Sequence, residues 1–303
     1  MLKVHIENLV GVAFIVACGC SSGGAAATAG TGGGTSGGGT TGSSSSSGGG
    51  GATSSSSSAS SSGSGGSPAD GGAASCVGIR YCDDFESYPV GAVANAATLG
   101  PWKATVTSAT MTVDGVKPYG GKKSLHITAA VGAAARGTLN QTVTAGLVPG
   151  NDVFGRAMLF YSSAGGNGLP IGVHSWIFNA AGTSTAANGA VTMNLGGGGA
   201  KLQLNYHPPA PLTEQSVDNG TMTAGVWHCV QWQYDGSGTP AKDDAKVWVD
   251  GVLAVEAPPS KGWNFATPWS SFDFGFTHYQ TLANGVDVYL DDFALNETMI
   301  ACP

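Results

Sequence analysis

Apolar and polar residues alternate along most of the chain after residue 80, with the period of two expected of half-buried β-strands. The alternation is clearest in five segments, residues 201–206, 227–234, 247–255, 272–277 and 286–295. At the centre of one of them stand Asp250 and Gly251, and this dipeptide is a strong signal of a β-hairpin turn. No long segment has the spacing of an amphipathic helix. The pattern predicts an all-β domain, either a sandwich or a jelly roll.

The N-terminus has the features of an export signal. Lys3 precedes a short apolar run at residues 9–17, and Cys18 follows this run. The run is too short to span a bilayer, which needs about 20 apolar residues, but it fits the apolar core of a secretory signal peptide. Residues 15–18, Ile-Val-Ala-Cys, resemble the bacterial lipoprotein signal, in which the cysteine receives lipid and becomes the N-terminus. The alternative is an ordinary cleaved signal, and Cys20 is a less favourable lipid acceptor.

We therefore expect a signal peptide at residues 1–17, lipidation of Cys18, and contact with a membrane through this lipid only. Gly19 after the cysteine resembles proteobacterial lipoproteins of the outer membrane, so we expect the bacterial cell envelope or cell surface as location. Residues 18–75 are almost entirely Gly, Ser, Ala and Thr, which predicts a disordered linker. Its typical span of about 40 Å would hold the folded domain, residues 76–303, away from the membrane.

The charge of the chain narrows the choice of partners. Twelve Lys and Arg residues stand against 19 Asp and Glu residues, which gives a net charge of −7 and a pI near 5.2. No basic run occurs, so we expect no nucleic-acid partner. The acidity also disfavours a strongly polyanionic ligand, although a local basic groove would still allow one. We also expect a monomer.

Four cysteines lie in the predicted domain, namely Cys76, Cys82, Cys229 and Cys302. An even number in an exported domain indicates two disulfides. We predict Cys76–Cys82, which closes a short local loop, and Cys229–Cys302, which ties the C-terminal tail to a strand. Cys82–Cys302 is the alternative if the first and last strands pair. The sequence contains no CxxC or HxxxH spacing, so a metal site built on these residues is disfavoured.

Several motifs resemble one structural superfamily. Residues 227–256 contain a W-H-x-V strand, a Y-D-G turn and a V-D-G hairpin, as is common in the concanavalin A-like lectin/glucanase superfamily. Residues 82–86, 274–280 and 290–302 resemble polysaccharide lyase-like jelly rolls of the Cip1 and glucuronan lyase type. The resemblance implies a jelly-roll sandwich of two antiparallel sheets with a polysaccharide as partner. It does not fix an activity, because this fold serves lectins, hydrolases, lyases and non-catalytic modules.

In such a sandwich, the outward face of one sheet would form a groove for a sugar chain. Thr192 and Asn194 share one face of a predicted strand, and Gln203, Asn205 and His207 share one face of another. If these strands are neighbours, the residues form an amide-rich patch suited to sugar hydroxyls, because an amide both donates and accepts hydrogen bonds. Asn194, Gln203, Asn205 and His207 are therefore candidate substrate-binding residues. The alternative is an ordinary solvated sheet face.

A further predicted strand, residues 173–178, places His174 and Trp176 on the same face. A tryptophan there could stack on a sugar ring while the histidine moves a proton. His174 is therefore a candidate catalytic residue and Trp176 a candidate binding residue. The alternative is that both side chains pack in the core.

The strongest local candidate follows an aromatic strand at residues 277–280, with the sequence Thr-His-Tyr-Gln. It resembles lyases of this fold that place a Tyr or His and a Gln near that strand end. Elimination at a uronate needs a base, an acid for the leaving oxygen and a group that neutralises the carboxylate. His278 or Tyr279 could be base or acid, and Gln280 could hold the carboxylate. The alternation leaves open which of His278 and Tyr279 faces the ligand.

Other enzyme motifs of this fold are missing from the sequence. It contains no R-x-E-x-R or Q-x-H motif of lyases, and Arg136 and Arg156 are the only arginines after residue 81. It also contains no E-x-D-x-x-E strand, and its glutamates are scattered, so a pair of catalytic carboxylates is not indicated. A glycoside hydrolase is therefore disfavoured.

Acidic residues stand at both ends of the domain, with Glu86 near its start and Asp291 near its end. First and last strands are often neighbours in a jelly roll, so these hard oxygen ligands could hold a structural calcium ion, as in related jelly rolls. The alternative is that they are edge charges that prevent aggregation.

These features predict a cell-envelope lipoprotein whose β-sandwich binds polysaccharide. The first alternative is a polysaccharide lyase that acts by β-elimination on a uronate-containing glycan. The second is a non-catalytic adhesive or structural surface protein. Binding is preferred because the groups needed for elimination are incomplete.

Overall fold

The structure is a computed structural model and describes an all-β domain. The described residues are 76–132, 134–142, 152–162, 175–182, 192–198, 201–208, 214–236, 244–264, 269–280 and 285–303. They contain seventeen strands and one short 3₁₀ helix, Pro259–Lys261. Within this part of the chain, no helix has the length and apolarity needed to span a bilayer.

The strands form two antiparallel sheets. The strands of the first sheet are β1 (Tyr81–Asp83), β2 (Gly91–Ala92), β5 (Thr110–Asp114), β6 (Ser124–Ala129), β8 (Asp152–Tyr161), β13 (Trp227–Asp235), β14 (Asp244–Val249), β15 (Val252–Ala257) and β17 (Val286–Asn296). Those of the second sheet are β3 (Thr98–Leu99), β4 (Trp102–Thr107), β7 (Ala135–Thr142), β9 (Ser175–Gly182), β10 (Thr192–Gly198), β11 (Lys201–His207), β12 (Gln215–Asn219) and β16 (Trp269–His278).

Strand order interleaves distant parts of the chain. The first sheet runs β15-β14-β13-β8-β17-β6-β5-β2, with β1 paired to β17. The second sheet runs β12-β11-β10-β9-β16-β7-β4-β3. The predicted hairpin is confirmed between β14 and β15, where Asp250 and Gly251 both have positive φ values of 51° and 78°, as a two-residue type I′ turn requires.

The core lies between the sheets and is dominated by aromatic rings. Phe178 of the second sheet packs on Trp232 of the first with ring centroids 4.5 Å apart, and Phe274 packs on Phe293 at 4.3 Å. Burial of each such ring stabilises the fold by roughly 1.5–3 kcal/mol. Gly155 is required beneath this layer, because a Cβ atom there would lie 2.0 Å from Cε2 of Trp232.

The first and last strands pair, with Cys82 opposite Ala294. This is the arrangement that would have brought Cys82 towards Cys302. The structure instead contains the two predicted disulfides, Cys76–Cys82 and Cys229–Cys302, so both pairings are confirmed.

The outward side of the first sheet is partly covered by the chain itself. Arg156 donates from Nη1 to the carbonyl of Ala301 at 3.0 Å, and Gln231 donates from Nε2 to the carbonyl of Ile300 at 2.6 Å. These bonds fix the C-terminal tail across β8 and β13, beside the Cys229–Cys302 disulfide.

Candidate functional site

Polar residues line up across five neighbouring strands of the second sheet. In the strand register Asn205 lies opposite Asn194, and Asn194 opposite Asn179. Asp273 continues the row between Asn179 and Asn140. In β11, β9 and β16 both chain neighbours of the row residue belong to the core, and in β7 Leu139 does, so the side chains of these four strands' row residues project outward. We call this outward side of the second sheet the polar face.

Asp273 is the centre of the polar face. Its carboxylate accepts hydrogen bonds from Nη2 of Arg136 at 3.1 Å, from Nδ2 of Asn179 at 3.2 Å, and from Nδ2 of Asn140. The residue is buried, and a buried carboxylate is stable only when it is paired and hydrogen-bonded. Asp273 therefore fixes the positions of a cation and two amides on this face.

An aromatic cluster lies beside Asp273. Nε1 of Trp176 donates a hydrogen bond to the hydroxyl of Tyr279, and the guanidinium of Arg136 lies 5.6 Å from the centre of the Trp176 ring. Such a contact is a cation–π interaction. Thr277 stands opposite both Trp176 and Arg136 in the strand register. Tyr279 is 58% exposed, so its ring is open to a ligand.

The structure separates His278 from Tyr279. Tyr279 projects from the polar face, whereas His278 is 1% exposed and pairs with Ala135 of the core. His278 donates from Nδ1 to the carbonyl of Gln280 at 2.8 Å. Its Nε2 is buried and has no hydrogen-bond partner among the described residues. An acid or base role for His278 stays a prediction.

The pKa shifts of the two residues have a common cause. The ring of Tyr279 is exposed, but partial desolvation near its hydroxyl, which contacts Trp176, raises the pKa of the phenol. The hydrogen bond from Trp176 and the charge of Arg136 oppose this shift. Burial lowers the pKa of the His278 imidazole, and the bond to Gln280 opposes this shift. At neutral pH, Tyr279 is therefore a neutral phenol that can donate a proton, and His278 is a neutral imidazole.

A glycine shapes the strand that carries these residues. Gly275 has a φ of +147°, and a Cβ atom there would lie 2.2 Å from the carbonyl oxygen of Gly137. The register of β16 with β9 shifts nearby, between Phe274 and Thr277. Gly275 thus allows the close backbone approach and the irregularity that precede Tyr279.

The β11–β12 end of the polar face combines amides with carboxylates. Gln203 donates from Nε2 to Oδ1 of Asp218 at 2.7 Å, and Asn205 donates from Nδ2 to Oε1 of Glu214 at 2.5 Å. Nδ1 of His207 lies 3.6 Å from Oε2 of Glu214. The structure thus brings the predicted residues of β11 together and adds two acidic neighbours.

The remaining predicted residues are distributed as follows. Trp176 is buried on the polar face and lies outside the main apolar core cluster. Gln280 is exposed after the end of β16, and its carbonyl accepts from His278. His174, Cys18 and the side chain of Asn194 lie outside the described residues.

Four residues of this site were missed by the sequence analysis, namely Arg136, Asn140, Asn179 and Asp273. A weak signal was present, because Arg136, Thr138 and Asn140 alternate with apolar or small residues and so share one face. Their convergence on Asp273 depends on the pairing of β7, β16 and β9, which the sequence pattern does not reveal.

The two candidate calcium ligands contact the same loop. Glu86 accepts from the backbone N–H groups of Lys122 and Lys123, the latter at 2.7 Å, and Asp291 accepts from the N–H of Tyr119 at 2.9 Å. Burial raises the pKa of Asp291 to about 8. No cluster of three or more His, Cys, Asp or Glu residues suited to a metal occurs among the described residues. Calcium binding therefore stays a prediction.

No protein-family model and no curated protein matches the sequence. Among solved structures, the chain is similar to the cellulose-induced protein Cip1, with 18% identity and a TM-score of 0.52 over 74% of this chain and 100% of that chain. It is also similar to an endo-β-1,4-glucuronan lyase from the fungus Trichoderma reesei, with 18% identity and a TM-score of 0.47 over 67% and 94%. Alginate lyase vAL-1 from Chlorella virus gives 14% identity and a TM-score of 0.46 over 66% and 94%.

The similarity to Cip1 establishes the fold alone. The chain has a concanavalin A-like jelly-roll fold, as its motifs predicted. What this fold does in the present chain depends on the side chains of the polar face.

Proposed function

We propose that the β-sandwich binds a polysaccharide along the polar face. The observation that carries the proposal is the cross-strand row of amides around Asp273, flanked by the exposed ring of Tyr279. Amide groups match sugar hydroxyls, because both donate and accept hydrogen bonds. An exposed tyrosine offers an apolar face and a polar tip to a sugar ring.

The dimensions of the row suit a chain rather than a single sugar. From β11 to β7 the row crosses four strand intervals, which is about 19 Å at the usual strand spacing. A glycan that lies across the strands would place successive rings over successive polar residues. The same row ends near Arg136, which supplies a cation for an acidic sugar.

A glycan array with the folded domain tests this proposal. Tyr279→Ala should weaken binding about tenfold, since the loss of one stacking contact of roughly 1.4 kcal/mol has this effect. Val252→Ala is the matched control, because Val252 is an exposed apolar residue on β15 of the other sheet. Equal effects of the two substitutions would contradict binding at the polar face, and no binding to any glycan would leave an adhesive or structural role.

A second candidate function, polysaccharide cleavage by β-elimination, is favoured by the contacts of Trp176. This side chain contacts both the Tyr279 hydroxyl and the Arg136 guanidinium. In the proposed reaction, a base removes the C5 proton of a uronate, the electron pair forms the C4–C5 double bond, and the bond to O4 breaks. Tyr279 would give its proton to O4, and Arg136 would neutralise the uronate carboxylate. His278 would then be the base, and His174, a further candidate catalytic residue, lies outside the described residues.

Ultraviolet absorbance of the unsaturated product distinguishes cleavage from binding. A lyase should produce this absorbance with a polyuronate, and Tyr279→Phe should slow the rate by about 10²-fold or more while binding persists. Binding without any absorbance change would identify a carbohydrate-binding module.

For location, we propose that the mature chain is a lipoprotein with residues 18–75 as linker and residues 76–303 as the binding domain. The support is the sequence of residues 9–18 and the Gly/Ser composition that follows. The mature protein should partition into detergent, and Cys18→Ala should abolish this behaviour. A mature protein that begins elsewhere and stays in the aqueous phase would contradict it.

A further inference from the structure

The two ends of the polar face differ in charge. At the β7–β4 end stand Arg136 and the exposed Lys103, which lies opposite Asn140 in the strand register. At the β11–β12 end stand Glu214 and Asp218, both exposed. The strands β11 and β7 are four intervals apart, or about 19 Å. The two charged regions therefore meet different sugar rings of one bound chain.

Hydrogen bonding at the acidic end leaves acceptors for a ligand. Gln203 and Asn205 each donate one amide N–H to a carboxylate, to Asp218 and Glu214 respectively. Asn205 is 7% exposed, and its Oδ1 is buried with no hydrogen-bond partner among the described residues. A buried acceptor of this kind requires a donor. The exposed carboxylates beside it also accept only.

This arrangement selects against an acidic sugar. A uronate carboxylate is itself an acceptor with a negative charge, so Glu214 and Asp218 repel it and Asn205 Oδ1 gains nothing from it. A hydroxyl or amino group of a neutral or amino sugar donates to all three. Lys201 stands two residues before Gln203 on the same strand, and it forms no ion pair with either carboxylate among the described residues.

We infer that the ligand is a mixed polysaccharide, in which a uronate lies over Arg136 and neutral or amino sugars lie over Gln203 and Asn205. The inference rests on the proposed function and narrows its substrate class. A homopolymer of uronates would place a carboxylate against Glu214 and Asp218, and it is therefore a poor ligand.

Oligosaccharides of equal length test the inference by calorimetry with the whole folded domain. The probes are an oligoglucuronate, an oligoalginate, an alternating glucuronate–N-acetylglucosamine chain, a glucuronate-bearing xylan fragment and an unsubstituted xylan fragment. At least one mixed probe should bind about tenfold more tightly than either homopolymer and than the neutral chain. The double substitution Glu214→Gln with Asp218→Asn should raise homopolymer affinity about 30-fold, because each of the two like charges removed at close range is worth about 1 kcal/mol in water.

Glu256→Gln is the matched control, because Glu256 is an exposed carboxylate on β15 of the first sheet. A homopolymer that binds best to the wild type, or a double variant without gain over this control, overturns the inference while polysaccharide binding stands. Preference for the neutral chain also overturns it. Absence of binding to every probe refutes the proposed function itself.

Discussion

The guanidinium of Arg136 donates to the carboxylate of Asp273 at 3.1 Å, across the boundary between β7 and β16. Asp273 is buried and holds two amides as well, so one carboxylate determines where the cation of the polar face stands. Arg136 in turn lies against the Trp176 ring that contacts Tyr279. Direct contacts thus connect the residues of the candidate site, and among them Asp273 accepts the most side-chain hydrogen bonds.

Asp273→Asn should therefore disturb both stability and binding. An asparagine keeps the size of the side chain but replaces one acceptor oxygen by a donor, which opposes the N–H groups of Arg136, Asn140 and Asn179. Urea denaturation should show a loss of about 1–3 kcal/mol in the free energy of unfolding, and calorimetry a loss of at least tenfold in glycan affinity. Glu256→Gln, with the same charge change on the other sheet, should leave both unchanged. If Asp273→Asn changed neither the free energy of unfolding nor the glycan affinity, other contacts would have to position Arg136.

Local patterns in the sequence were sufficient to predict the fold. Period-two alternation predicted the strands, Asp250 and Gly251 predicted the hairpin, and the W-H-x-V and V-D-G motifs indicated the jelly-roll fold. Each of these signals lies within a short segment, and short segments encode strand and turn geometry directly.

The candidate site was only partly predictable, because its residues meet through distant strand pairs. Gln203 and Asn205 were found, since they alternate within one strand. Asp273 and Arg136 are 137 residues apart in sequence, and nothing local indicates that β16 pairs with β7. The facing of His278 and Tyr279 follows the alternation of β16, because His278 lies on the core side with Phe276 and Tyr279 lies on the side of Asp273.

Two substitutions of His278 separate positioning from catalysis. His278→Asn keeps a donor at the position of Nδ1, which can still bond the Gln280 carbonyl and fix the backbone on either side of Tyr279. His278→Gln moves the donor to the position of Nε2 and loses this bond. If His278 positions Tyr279, glycan affinity should persist in His278→Asn and fall several-fold in His278→Gln. Equal loss of turnover in both variants, with affinity intact, would instead support His278 as acid or base.

The pH dependence of stability provides an independent check on His278. Burial lowers the pKa of His278 below its ordinary value of 6.5. As pH falls through 6.5, the histidine is therefore protonated in the unfolded chain but stays neutral in the folded protein. The free energy of unfolding should therefore fall as pH drops below about 6.5, and His278 should contribute nothing to this slope above it. Thermal denaturation of His278→Asn should show a smaller loss between pH 7 and pH 5 than the wild type. If stability fell with pH equally steeply in His278→Asn and in the wild type, other titratable groups would cause the pH dependence.

Calcium should stabilise the domain if Glu86 and Asp291 hold the ion. Both carboxylates contact the loop of residues 119–123, and a bound cation would offset the burial of Asp291. At a calcium concentration of 100 times Kd, the gain is about 2.7 kcal/mol, visible as a higher Tm that a chelator reverses. Asp291→Asn should lose this gain, whereas Asp287→Asn on the same strand should keep it. A Tm that does not respond to calcium in the wild type would leave these residues as loop anchors.

The two disulfides should contribute unequally, because they close loops of different length. Cys229–Cys302 spans 73 residues and Cys76–Cys82 spans 6. In the chain-entropy description, the long loop is worth about 4 kcal/mol and the short one about 2 kcal/mol. In urea denaturation, the variant Cys229→Ala with Cys302→Ala should therefore show the larger loss in the free energy of unfolding.

The same variant should also free the tail that Arg156 and Gln231 hold across the first sheet. Hydrogen exchange would detect this change at residues 297–303. Glycan affinity should persist, because the tail lies on the sheet opposite the polar face. A loss of affinity that matches the loss of stability would place the ligand on the first sheet and contradict the proposed site.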